Sequence, residues 1–187
     1  MSPRVPDFPV LVGSGRDESH DVAHSQVSMT QLMAPQDANL MGNVFGGVVL
    51  AGVDRIAYVC AARHAGRPCV TASFDQVDFR SPIQIGEVVT LEASVNTVGR
   101  TSMEIGVRVS AESVTVGERR HTNSCYVTMV ALDPEGKPCP VPRLELTTEE
   151  EYRRHRDAEE RREARLVLAE RRRSRRKTRT TDELTSG

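Results

Sequence analysis

The sequence contains no tryptophan, no CxxC pair and no apolar run long enough to span a bilayer. Each absence excludes something. Its longest apolar stretch, residues 48–62, is interrupted by Asp54 and Arg55, whereas a membrane helix needs about 20 apolar residues. Residues 1–26 show prolines, glycines and scattered charges but no apolar core of a signal peptide, so a cytoplasmic protein is expected. Cys60, Cys69, Cys125 and Cys139 have no His partner at zinc spacing. They read as reduced thiols, with no metal and no disulfide expected. Apolar residues make up 38% of the 187 positions and charged residues 27%. Two full domains would be cramped at this length, and one core with polar tails fits it.

Net charge is also nearly absent, at −1, but it conceals a split. From residue 147 onward there are 13 Lys+Arg against 10 Asp+Glu, and the remainder has 12 against 16. A body at −4 argues against nucleic acid as its main partner. The tail is a separate question. Residues 171–179 hold seven basic side chains in nine positions, consistent with a solvated segment or with RNA, acidic partners or membrane phosphates. No function is assigned to it.

What is present has a clear order. After a leader expected to be flexible over residues 1–26, residues 27–34 read as a strand ended by Pro35. Residues 35–47 form a turn-rich loop, and residues 48–66 a helix stopped by Gly66 and Pro68. This helix is apolar almost all round and should lie against a large surface. Strand-like segments follow at 69–79, 87–98, 102–114 and 119–132. In the third of these, Met103, Ile105, Val107 and Val109 alternate with Glu104, Arg108 and Ser110, the period of a strand with one wet face. An α+β fold satisfies the pattern, an antiparallel sheet wrapped around one central helix. A charged helix follows over 147–176, acidic early and arginine-rich late, in keeping with its dipole.

Two features carry chemistry. Asp54 sits among small and apolar neighbours in the central helix, where a carboxylate is costly unless it is paired or used. Pairing with Arg55 or another cation at the helix edge is the alternative. Gly46 and Gly47 open the same helix, where unpaired N–H groups at the positive end of the dipole suit a phosphate or an oxyanion. Close packing of the turn would explain them equally. Gly47 and Asp54 are seven residues apart, about 10 Å along a helix. Both cannot reach one carbonyl from the same chain, so a site using both needs two subunits and a symmetric dimer.

The pattern Pro35-x-Asp37-x-Asn39-x-x-Gly42-x-x-Phe45-Gly46-Gly47-x-x-Leu50-x-x-x-Asp54 resembles the signature of hotdog-fold acyl-CoA thioesterases. The similarity continues through Asp78-Phe79-Arg80-Ser81-Pro82, Gly86-Glu87-Val88-Val89, Gly99-Arg100-Thr101-Ser102-Met103 and residues 130–137, spanning roughly residues 26–142. It implies the hotdog fold and hydrolysis of acyl-CoA to a free fatty acid and CoA, with no cofactor beyond the CoA of the substrate. By position, Asp54 resembles the catalytic carboxylate, acting as base or nucleophile, and Asn39 the asparagine lining the facing site. Gly46 and Gly47 match the backbone that meets the thioester carbonyl. The resemblance also implies a homodimer with shared sites, stacked three-fold into a hexamer.

Holding CoA requires groups for its phosphates and ribose. Arg80, and Arg100 with Thr101 and Ser102, offer guanidinium and hydroxyl donors for that purpose, or are ordinary solvated turn residues. Phe74, Val77 and Phe79 line an acyl tunnel or belong to the sheet core. A hydratase would place a His beside the carboxylate, and neither His64 nor His121 reaches Asp54 at any helical spacing. A non-catalytic acyl-CoA sensor would lack the carboxylate and asparagine that are present here.

Overall fold

A computed structural model describes residues 17–75 and 77–185, with the side chains of 172–185 outside it. The chain divides after Thr147 into two units. In the first, five strands form one antiparallel sheet: β2 (Val27–Leu32), β3 (Cys69–Phe74), β4 (Glu87–Val98), β5 (Ser102–Ser113) and β6 (Arg119–Ala131). Their spatial order is β2-β4-β5-β6-β3, which leaves β2 and β3 as the two edges. Helix α2 (Gly46–Ala65) touches all five strands. Inward residues of β4, β5 and β6, such as Leu91, Ile105 and Val127, close on Val53, Ile56, Ala57 and Cys60 of α2. This is the hotdog fold.

Local chemistry sets the helix ends. Phe45, in extended conformation, precedes the first turn, and Gly66 ends the last one at φ 61° with its N–H on the Ala62 carbonyl. A left-handed position is where glycine costs least. The helix starts two residues before the expected 48, because the glycine pair enters it. Contrary to the all-round burial expected, Ala51, Arg55 and Val59 form an exposed line at i, i+4 and i+8.

Three further expectations are corrected. β3 stops at Phe74 instead of residue 79, with a register shift between Thr71 and Ser73. Beyond it the chain stays beside β6 through the bonds Asp75 N–H to Tyr126 O and Arg80 N–H to Thr122 O. The outer face of β5 is not uniformly wet. Glu104 and Ser110 are buried there, and the Asn96 amide donates to Glu104 at 3.3 Å. Gly106 makes room, since a Cβ at that position would come within 2.6 Å of Asn96 Nδ2. The expected leader, 1–26, lies outside the described residues up to 16. Within its remainder, residues 19–25 form β1 (Ser19–Asp21) and the short helix α1 (Val22–Ser25). β1 pairs in parallel with β7 (Arg143–Glu145), a strand beyond residue 142, where the resemblance ends.

The second unit is helix α3 (Glu149–Thr185). Thr148 and Glu151 cap it reciprocally, each side chain accepting from the other's backbone N–H. Glu150 pairs with Arg153 and Arg154, and Arg153 with Asp157. The arginine-rich stretch 171–179 lies on this helix, with its side chains after Arg171 outside the described residues. Among the described residues no helix is long and apolar enough to cross a membrane.

Candidate active site

Asp54 lies on the flank of α2 that faces β3. Its carboxylate Oδ1 accepts a hydrogen bond from the Thr71 hydroxyl at 2.6 Å, and Thr71 Oγ1 also lies 3.4 Å from Met129 Sδ. The alternative of an ion pair with Arg55 is not realised, because the adjacent helical position points about 100° away. Asp54 is half-buried and Thr71 exposed in the protomer. Thr71 was not among the expected site residues. On a strand of threonine, serine and alanine its hydroxyl carries no local mark. Its position just after the helix and on the edge strand is the one signal available.

Asn39, Gly46 and Gly47 gather elsewhere. Asn39 Oδ1 accepts from the N–H groups of Met41 and Asn43 at 2.8 and 3.2 Å, which folds the loop and leaves the side-chain amide without a partner among the described residues. The loop then rests on a second segment, with Val44 N–H on Ile83 O and Phe45 N–H on Asp37 O, both at 2.8 Å. The N–H groups of Gly46 and Gly47 have no acceptor among the described residues. They are orphan donors at the positive helix terminus. A Cβ at 47 would run into the Phe45 ring, so any other residue there would push that exposed ring aside. Beside Gly46 lies the Phe79 ring, with 3.3 Å left for a Cβ.

The two groups lie apart in the protomer. Phe79 ties Gly46 to the neighbourhood of Arg80, whose N–H is on Thr122 O. Thr71 instead pairs in register with Met129, seven residues along β6 and so about 20 Å away. Among the described residues no hydrogen bond joins Asp54 to Asn39, Gly46 or Gly47. The two arginines are separated as well. Thr101 O accepts from Ala131 N–H, which puts Arg100 about 30 Å along β6 from Arg80. Both guanidinium groups are without partners among the described residues, but one protomer cannot bring them to the same phosphate. Phe74 and Phe79 are 38% and 47% exposed, so neither is sheet core, whereas Val77 packs partly buried against it. His121 bonds Ser124, and His64 bonds the Pro142 carbonyl, both away from Asp54.

Residues 41–118 match the family model of the thioesterase superfamily. YkhA of Bacillus subtilis, named an uncharacterized acyl-CoA thioester hydrolase, is 43% identical over 144 residues, covering 77% of this chain and 84% of that protein. The chain belongs to the thioesterase superfamily. Within it, a hexameric acyl-CoA thioesterase has a similar solved structure, at TM-score 0.79 and 45% identity over 81% of this chain and 97% of that one. The Staphylococcus aureus acyl-CoA hydrolase, solved with butyryl-CoA and CoA, matches at TM-score 0.75 and 35% identity, covering 82% of this chain and 95% of that one. Alanine variants of that thioesterase have been solved at an asparagine, an aspartate and a threonine, spaced 15 and then 17 residues apart. Asn39, Asp54 and Thr71 are spaced 15 and 17 residues apart.

Proposed function

We propose that this thioesterase hydrolyses fatty acyl-CoA to the free acid and CoA, at a site shared between two subunits. The observation that carries the reading is the Asp54 carboxylate held by the Thr71 hydroxyl, at intervals from Asn39 that match the substituted positions of the S. aureus enzyme. Thr71 occupies one carboxylate oxygen and leaves the other to take a proton from water. That water attacks the thioester carbonyl carbon. The developing oxyanion is met by the free N–H groups of Gly46 and Gly47. The C–S bond then breaks, the acyl carbon keeps the new oxygen, and the proton passes to the departing CoA sulfur. Asn39 offers its free amide to the carbonyl or the water.

Two subunits are needed because each half-site is incomplete. Asn39, Gly46, Gly47 and Arg80 come from one protomer, and Asp54 and Thr71 from its partner. In this arrangement Arg80 of one protomer and Arg100 of the other serve one CoA, with Thr101 and Ser102 beside Arg100. Phe45 and Phe79, 58% and 47% exposed, offer the acyl chain an apolar wall. The hexamer seen for the similar thioesterase is the expected assembly. A cytoplasmic setting fits the substrate.

The test is release of free thiol from acyl-CoAs of graded chain length by wild type and Asp54→Ala. Rapid release that falls by roughly 10²-fold or more in the variant supports the reading. Tight acyl-CoA binding with no release by wild type would replace it with a sensor.

A further inference from the structure

Glu87 begins β4 and is 8% exposed, an unusual place for a carboxylate. Arg120, from β6, meets it with two parallel bonds, Nη1 to Oε1 at 2.6 Å and Nη2 to Oε2 at 2.7 Å. β5 lies between these strands and pairs with both along nearly its whole length, so the sheet does not depend on the ion pair for its register. The pair is only partly buried, with 33% of the Arg120 side chain exposed, and such a pair contributes little net stability. Its remaining bonds show where it acts. Arg120 Nη2 donates to the Pro82 carbonyl at 2.7 Å, and Glu87 Oε2 accepts from the Gln84 N–H at 2.8 Å.

Both bonds grip one segment, and that segment carries the asparagine loop. Ile83 O receives the Val44 N–H at 2.8 Å, and Gln84 bridges to Asn43. Asn43 in turn gives its N–H to the Asn39 side chain and accepts the Asn39 N–H at 2.7 Å. Two residues beyond Val44 come Gly46 and Gly47. An unbroken path of hydrogen bonds and chain thus runs from the ion pair to the orphan amides. Among the described residues no hydrogen bond runs from the ion pair's segment to the Asp54 carboxylate, which the Thr71 hydroxyl of β3 holds.

We infer that Glu87 and Arg120 are positioning residues of the thioester hydrolysis, setting Asn39 and the Gly46–Gly47 amides through the 82–84 segment. The inference rests on the functional reading above. Oxyanion donors act only within a narrow range of positions, and a misplacement of about 1 Å can cost about 10²-fold.

The experiment compares wild type, Glu87→Gln and Arg120→Lys at a temperature where each is folded. Arg120→Lys keeps a cation beside Glu87 but cannot reach Pro82 and both carboxylate oxygens at once. It decides the matter should Glu87→Gln not fold. Three results are expected. First, kcat falls about tenfold to a hundredfold, with KM changing much less. Second, the loss is non-additive with Asn39→Ala but multiplies with Thr71→Ala, since only the first shares the half-site. Third, amide exchange over residues 39–45 speeds up while that of β3 does not. Unchanged kcat in a folded variant, simple multiplication with Asn39→Ala, or unchanged exchange over 39–45 would each overturn the inference. An inactive wild type would sink the hydrolase reading instead. The exchange measurement would still judge the link from the ion pair to the loop.

Discussion

Thr71 and Asp54 are 17 residues apart in sequence and 2.6 Å apart in space, and the two should differ in kinetic weight. On the proposed mechanism Asp54→Asn removes the proton acceptor and is expected to lower kcat by about 10²- to 10⁴-fold. Thr71→Ala leaves the carboxylate in place but loses a charge-assisted bond worth about 2 kcal/mol, so a drop near thirtyfold is expected. Steady-state thiol release on the two variants checks both. Asp54 is legible in the sequence because a carboxylate inside an apolar helix is an anomaly wherever it occurs. Thr71 is not, because its role arises only when the helix and the edge strand are laid side by side. The same holds for Glu87 and Arg120, ordinary charges until the sheet brings them together.

His64 gives a second prediction at this scale. Burial pushes its imidazole down from 6.5 to about 4, with His20 and His24 nearby pushing the same way. Its Nε2–H donates to the Pro142 carbonyl, and Nδ1 is left buried without a donor. The unfolded chain therefore takes up a proton near pH 6.5 that the folded chain refuses until about 4. The stability concerned is fully present above 6.5 and is lost as pH falls toward 4, amounting to about 3 kcal/mol. Glu87, held low by the Arg120 hydrogen bonds, also favours the fold less as acid increases. The His64 share is thus the difference in acid sensitivity between wild type and His64→Gln. Urea midpoints across this pH range should show a flatter profile for the variant.

Among the elements, α2 and β3 share an unfinished character. α2 exposes the line Ala51, Arg55, Val59, and β3 is an edge with Val70 46% exposed and Phe74 38% exposed. An open apolar edge is a template for pairing with another chain. Val70→Lys should therefore shift the assembly toward smaller species in light scattering and remove activity with it, while the circular dichroism stays native. Retained mass with Val70→Lys would show that the interface lies elsewhere. The strands were readable from period two and turn residues, and β4 matches its expected limits. β3 was not, since its continuation to residue 79 follows β6 by isolated bonds that periodicity does not distinguish from a ladder. The burial of Glu104 escaped for a similar reason, since alternation says which face a residue is on but not what covers that face.

For the whole molecule, two separated half-sites make a quantitative forecast. Mixing Asn39→Ala and Asp54→Ala subunits by unfolding and refolding yields heterodimers in which one site carries both lesions and the other carries neither. With random pairing, about a quarter of wild-type activity should return from two nearly inactive proteins. Sites complete within one protomer would return none. The proposal of a site shared by two subunits starts from the seven-residue interval between Gly47 and Asp54. The opposite placement of Arg80 and Arg100 was not legible in the sequence, because strand register is a property of the folded sheet.

The parallel pairing of β1 with β7 bears on how the chain comes to be folded. Ser19 bonds Glu145 across 126 positions of sequence, and Arg143 gives its N–H to the Glu18 carbonyl. During synthesis β1 emerges early and stays without its partner until all five strands of the larger sheet have followed. The seam that joins them is therefore among the last parts of this unit able to form, and a chain arrested before residue 143 can build the five-stranded sheet but not the separate β1–β7 pair.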